Sequence, residues 1–108
     1  HNVRIGAHSA LAGCVGIAGS ARIGKRCTIG GGAIVLGHLE IADDVHISAA
    51  SVVTRSIRQA GHYAGLYPLQ PKGEWARGAV LLRNLEKLEH RLGRLERGHG
   101  NRGDDIEE

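Results

Sequence analysis

A parallel β-solenoid built from six-residue repeats is the fold this sequence predicts, and three observations predict it. First, an aliphatic residue recurs at nine consecutive six-residue steps: Ile5, Leu11, Ile17, Ile23, Ile29, Val35, Ile41, Ile47 and Val53. A period of six fits neither the 3.6 of an α-helix nor the two of an isolated strand. Second, the residue after each aliphatic is small (Gly6, Ala12, Ala18, Gly24, Gly30, Ala42, Ser48, Thr54), with Leu36 the exception. Third, Gly numbers 17 while the chain has no Phe, one Trp and two Tyr. A narrow interior filled by Ile, Val, Leu and Ala leaves no room for large rings, which accounts for both extremes. Each hexad then supplies one flat side of a triangular coil, three hexads close a coil, and the aliphatics stack inside as ladders. The small residues are expected to take the tight corners, where Gly turns with φ > 0.

Taken in order, residues 1–54 hold the nine hexads and so three coils. Residues 55–74 carry Gly61, Gly65, Pro68, Pro71 and Gly73 and read as a connector too broken for regular structure. Residues 75–97 read as one helix: Leu81, Leu85, Leu88, Leu92 and Leu95 alternate at four and three, the spacing of a coiled-coil seam. Only about two heptads are present, so this helix is expected to form one arm of a bundle around a shared axis. Residues 98–108, GHGNRGDDIEE, have no apolar periodicity and are expected to be disordered.

At 108 residues the chain makes one small domain with little room for a second core. No apolar run is long enough to span a membrane. The chain opens on His1 inside a repeat, the expectation for a processed or truncated chain. Cys14 and Cys27 make no disulfide framework and read as small reduced apolar residues, consistent with a cytosolic location. Ten of the 14 Lys and Arg residues follow Thr54, opposed up to Gly103 only by Glu74, Glu86, Glu89 and Glu96. Such a surface suits an acidic partner. Nucleic acid is disfavoured, because no aromatic residues interleave with the basic ones.

The flat side of a solenoid offers no pocket, so an active site is expected between neighbouring subunits, as in a trimer whose helices converge. Histidine is the usual general base near neutral pH. His1 and His38 are separated by two coils plus one residue and fall on nearly the same edge. With coils about 4.8 Å apart they would stand roughly 9–10 Å apart along the axis. His46 is expected to point outward, and His8, His62, His90 and His99 carry no assigned role. The tract Gly30-Gly31-Gly32 lacks the Lys-Ser/Thr of a phosphate-binding loop and reads as packing at a coil corner.

The stretches HNVRIG (1–6), AGS (18–20), IGGGAIVLGHLEIADDV (29–45) and GHYAGLYPLQPKGEWAR (61–77) together resemble the UDP-3-O-acylglucosamine N-acyltransferases of lipid A synthesis in Gram-negative bacteria. The solenoid part alone is generic; the connector followed by the Leu-rich helix is the specific part. The resemblance extends to about residue 97. It implies a left-handed parallel β-helix in a homotrimer, cytoplasmic and peripheral at the inner membrane. It also implies transfer of a 3-hydroxyacyl chain from acyl carrier protein to the 2-amine of a UDP-sugar lipid. No cofactor is implied beyond the 4′-phosphopantetheine that arrives on the carrier. By the same resemblance His1 matches the catalytic base, His38 the second active-site histidine, and Gly19 the glycine whose N–H serves the oxyanion hole. Arg55 matches a basic position where phosphopantetheine enters, and Arg83 and Arg91 would extend the carrier-binding surface. The family's uridine-binding domain and lower coils lie outside this sequence.

Two alternatives stand beside this reading. A zinc hydratase of the γ-carbonic-anhydrase type is also a trimeric hexapeptide solenoid, and His1, His38 and His46 would be its ligands. A non-catalytic trimerisation fragment would need no active site at all.

Overall fold

The computed structural model describes the backbone of residues 1–107 and the side chains of residues 1–99. Two compact units result, His1–Pro68 and Leu69–Glu108.

In the first unit, very short strands stack in three parallel sheets. One contains β1 (Arg4–Ile5), β4 (Arg22–Ile23) and β7 (Glu40–Ile41); the second β2 (Ala10–Leu11), β5 (Thr28–Ile29), β8 (Val45–Ile47) and β10 (Gly61–Tyr63). The third contains β3 (Gly16–Ile17), β6 (Ile34–Val35) and β9 (Val52–Val53). Register pairs residues one coil apart, so the aliphatics line up as Ile5–Ile23–Ile41, Leu11–Ile29–Ile47 and Ile17–Val35–Val53. From Ala21 upward these ladders are buried, with Ala21, Cys27, Ala33 and Val45 filling between them. In the first coil Ile5 and Leu11 are 45% and 40% exposed. Backbone N–H groups donate from coil to coil, as Gly6 to the Ile23 carbonyl and Gly24 to the Ile41 carbonyl, both at 2.8 Å.

The corners differ from expectation. Within the three coils positive φ falls at Asn2, His8, Cys14, Ser20, Arg26, Gly32, His38, Asp44 and Ala50, three residues before each aliphatic. The small residues after the aliphatics are small for another reason, the closeness of the next coil. A Cβ on Gly6 would lie 2.6 Å from the Gly24 carbonyl carbon, and one on Gly24 2.7 Å from that of Ala42. Eight of the nine left-handed residues carry side chains, each at a cost of roughly 1–2 kcal/mol relative to Gly. The inter-coil hydrogen bonds hold them there, for example Arg26 N–H to the Ala7 carbonyl and Asp44 N–H to the Lys25 carbonyl, both at 2.9 Å.

The connector also holds regular structure. Ile57 bridges to Ile41, and β10 pairs with β8 so that Tyr63 faces Ile47. Both pairings join residues sixteen apart, so this last partial coil is shorter than those below and escapes a six-residue pattern. The Ala42 N–H to the Ile57 carbonyl (2.8 Å) and the Ser48 N–H to the Tyr63 carbonyl (2.9 Å) fasten it.

The second unit is two helices where one was expected, α1 (Lys72–Arg83) and α2 (Leu85–Glu107). α1 begins earlier than Trp75 because Pro71 pre-sets φ at −54° and accepts the Trp75 N–H at 3.1 Å. The two helices meet at Asn84, whose backbone (φ −101°, ψ 10°) leaves the helical range while its N–H reaches the Val80 and Leu81 carbonyls at 3.2 Å and its side-chain Nδ2 also donates to the Val80 carbonyl at 3.0 Å. The seam is therefore split, with Leu81 in α1 and Leu85, Leu88, Leu92 and Leu95 in α2, all exposed. α2 continues across residues read as disordered, since extending a formed helix needs no new nucleus. Residue 108 of that expected tail lies outside the described residues. Among the described residues no helix is long and apolar enough to cross a membrane.

Candidate functional site

The corner joining the third sheet to the first repeats His1-Asn2, Gly19-Ser20 and Gly37-His38, one pair per coil. Coil spacing stacks these pairs. Ser20 N–H donates to the His1 carbonyl at 2.9 Å, and His38 N–H to the Gly19 carbonyl at 3.0 Å. Asn2, Ser20 and His38 all take the left-handed conformation, with φ of 58°, 63° and 63°. The His1 imidazole lies directly over Gly19: a Cβ there would sit 3.2 Å from Cε1 and 3.4 Å from Nδ1. Gly37 lies equally close above, where a Cβ would sit 3.2 Å from the Gly19 carbonyl oxygen. Two glycines thus let a ring and two backbones share one edge. Among the described residues the Gly19 N–H donates to no protein acceptor, which leaves it as a donor for a ligand. The structure therefore brings His1 and Gly19 together and sets His38 on the same column, one coil above Gly19.

Arg55 lies elsewhere in this unit, in an open groove of about 660 Å³ whose walls include Ser51, Val53, Arg58, His62 and Tyr63. A solenoid without a pocket of its own is thus not what the last coil provides: the partial coil of Ile57 and β10 folds the connector into a groove. Arg83 closes α1 and Arg91 lies in α2, both in the second unit.

A further column escaped the sequence reading. Thr28 Oγ1 and His46 Nδ1 are hydrogen-bonded at 2.7 Å, and the His62 ring stacks on His46 with centroids 4.8 Å apart and planes at 27°. Thr28 and His46 are one coil apart and could have been paired from the period, but His62 follows in the shortened coil. At another corner Arg26 grips Asp44 through Nε (2.8 Å) and a terminal nitrogen (2.9 Å). Those hydrogen bonds hold the Asp44 carboxyl below its ordinary range and raise the Arg26 guanidinium.

Fold and site define the class: a hexapeptide-repeat β-solenoid with a His–Gly–His column at one corner and a helical unit after it. By sequence the chain is, over this stretch, a relative of the UDP-3-O-acylglucosamine N-acyltransferases. It is 58% identical to that of Delftia acidovorans over 97 residues, 90% of this chain and 29% of the relative. The protein of Janthinobacterium sp. (strain Marseille) is 57% identical over 104 residues, covering 96% of this chain and 30% of its own length. That of Herminiimonas arsenicoxydans is 54% identical over 107 residues, 99% and 31% of the two chains. The chain thus spans less than a third of the curated relatives it matches. No protein-family profile matches it. Among solved structures, serine acetyltransferase isoform 3 of Entamoeba histolytica, in complex with cysteine, aligns over 70% of this chain and 38% of its own. The TM-score is 0.38 and the identity 22%. The zinc-hydratase alternative gains nothing from these relatives.

Proposed function

We propose that this chain is the catalytic-coil and helix portion of a UDP-3-O-acylglucosamine N-acyltransferase. The observation that carries the reading is the identity of 54–58% to such enzymes over about nine-tenths of this chain or more, together with His1 seated on Gly19. The chemistry fits the corner. An amine that attacks a thioester must lose a proton, and a neutral imidazole accepts it. The 2-amine of the sugar nucleotide attacks the acyl carbonyl, His1 takes the amine proton, and the Gly19 N–H stabilises the oxyanion. Collapse forms the amide and releases the carrier's phosphopantetheine thiol, which leaves with the proton returned by His1. His38 orients the acceptor. The acidic acyl carrier protein is steered by the basic residues Arg55, Arg83 and Arg91. Both histidines are exposed in the single chain, and a second subunit would close the cleft and exclude water. We place the enzyme in the cytoplasm, peripheral at the inner membrane.

The test is an acyl-transfer assay with the intact gene product, 3-hydroxyacyl carrier protein and the 3-O-acylated UDP-glucosamine. Formation of the 2-N-acyl product is the expected result; absence of acyl transfer to that amine overturns the reading. The exposed Leu85, Leu88, Leu92 and Leu95 should pack in a trimer. Leu88→Asp is expected to dissociate it, because burying an unpaired carboxylate costs several kcal/mol. Light scattering reads the change, and a wild-type monomer at micromolar concentration would reject the trimer.

Gly19→Ala tests the corner. Its methyl group would push the imidazole by a few tenths of an ångström or more, since only 3.2 Å separates that Cβ from the ring. A misplaced catalytic group costs up to about 10²-fold, so kcat should fall by roughly 10- to 100-fold with an unchanged fold. Unaltered kcat would show that the ring's seat on Gly19 has no part in the reaction.

A further inference from the structure

We infer that Arg4 and Arg22, with Asn2 and Ser20, form a binding site for a phosphate or diphosphate group on the outer face of the first sheet. Arg4 and Arg22 are register partners on adjacent parallel strands, so their side chains leave the same face about 4.8 Å apart at the backbone. Both are exposed, and among the described residues neither forms an ion pair. Two like charges placed directly opposite oppose folding. A flat β rung does not require arginine at either place, and a bound anion would turn the repulsion into attraction. Glu40 is the register partner on the other side of Arg22, yet it makes no ion pair with it.

The two arginines face a shallow depression of about 250 Å³, whose remaining walls are Asn2, Val3 and Ser20. Among the described residues it is lined by two guanidinium forks, a carboxamide and a hydroxyl, without a carboxylate. Planar guanidinium forks match phosphate oxygens two at a time, and two of them neutralise a dianion. A monocarboxylate would satisfy only one fork. Backbone geometry fixes the amide and hydroxyl beside the arginines: Asn2 and Ser20 are the left-handed corner residues, and Ser20 N–H is tied to the His1 carbonyl at 2.9 Å. Asn2 follows His1 and Ser20 follows Gly19, so an anion held here is anchored one residue from the His1–Gly19 corner. A sugar nucleotide's diphosphate and free phosphate share this chemistry. The inference stands on register and charge and does not depend on acyl transfer.

The test is calorimetric titration of this chain at low ionic strength with inorganic phosphate, pyrophosphate, uridine 5′-diphosphate and, as control, acetate. Pyrophosphate and uridine 5′-diphosphate are expected to bind and acetate is not. Arg4→Gln combined with Arg22→Gln should weaken pyrophosphate about tenfold or more, the loss of two charge-assisted contacts. Lys25→Gln, an exposed charge at another corner, should change it less than about twofold. The double variant should melt no lower than the wild type, because it removes a repulsion. Tighter binding of uridine 5′-diphosphate than of pyrophosphate assigns the site to a nucleotide, and equal binding assigns it to the diphosphate alone. Pyrophosphate affinity unchanged in the double variant, an equal loss in Lys25→Gln, or no anion bound by the wild type would overturn the site. Because the readout is binding, its failure is distinct from a failed acyl-transfer assay.

Discussion

His1→Ala in the intact gene product is expected to lower the rate of acyl transfer by about 10²- to 10⁴-fold, the range for a lost general base. The stacking explains why the effect should stay local. His1 sits at an exposed corner, and its carbonyl, which the substitution retains, accepts the Ser20 N–H at 2.9 Å. Removing the ring therefore leaves the coil-to-coil bond in place, and the melting temperature should scarcely move. His38→Ala should cost less, since the role proposed for that side chain is to orient the acceptor and not to carry the proton away. A His1 variant that keeps near wild-type kcat would remove the proton-transfer role assigned to this corner.

Ile29→Ala should be the most damaging single change to the solenoid, at about 2–5 kcal/mol. Ile29 is 2% exposed in the middle of the Leu11–Ile29–Ile47 ladder, so truncation leaves a void with ladder residues above and below it. The comparison that gives this meaning is Ile34→Ala in the middle coil. Ile34 is 44% exposed on the outer side of its sheet, so its truncation loses less transfer energy and leaves no internal void. Urea denaturation of both variants checks the ranking. Equal losses would mean that the buried ladder contributes no more to stability than the outer face of the sheet.

The ladders were legible because a solenoid interior repeats its chemistry: six of the nine aliphatics, Ile23 to Val53, are buried as the period implies. The corners were not legible. The left-handed positions hold Asn, His, Cys, Ser, Arg, Gly, Asp and Ala, which share no side-chain property. What places them there is the hydrogen bonding of neighbouring coils, a tertiary cause that no local pattern records. The partial fourth coil was missed for a related reason. Ile57 and Tyr63 extend two ladders after an offset of sixteen residues, so an eye trained on six ends at Val53. At the site, the closeness of His1 and Gly19 was available from the coil length, since the two are one turn apart in the chain, yet the period was used only to pair His1 with His38, and Gly19 came from the resemblance alone. The stacking of His62 on His46 was not available in that way, because it crosses the shortened coil. The helix break at Asn84 was equally hidden: the Leu spacing runs through it undisturbed, and only the backbone of Asn84, at φ −101° and ψ 10°, marks it.

The constant register between coils has a kinetic meaning. Every rung of the three complete coils joins residues the same distance apart in sequence, so each closure faces nearly the same entropy barrier, which grows only slowly with loop size. No rung has to wait for a distant partner at the far end of the chain. Once two adjacent turns have zipped, each further hexad adds its hydrogen bonds to a finished template, as a crystal grows on its seed. Refolding of this unit should therefore have its slow step in forming the first pair of turns, and Ile29, which belongs to both pairs, sits where that seed forms.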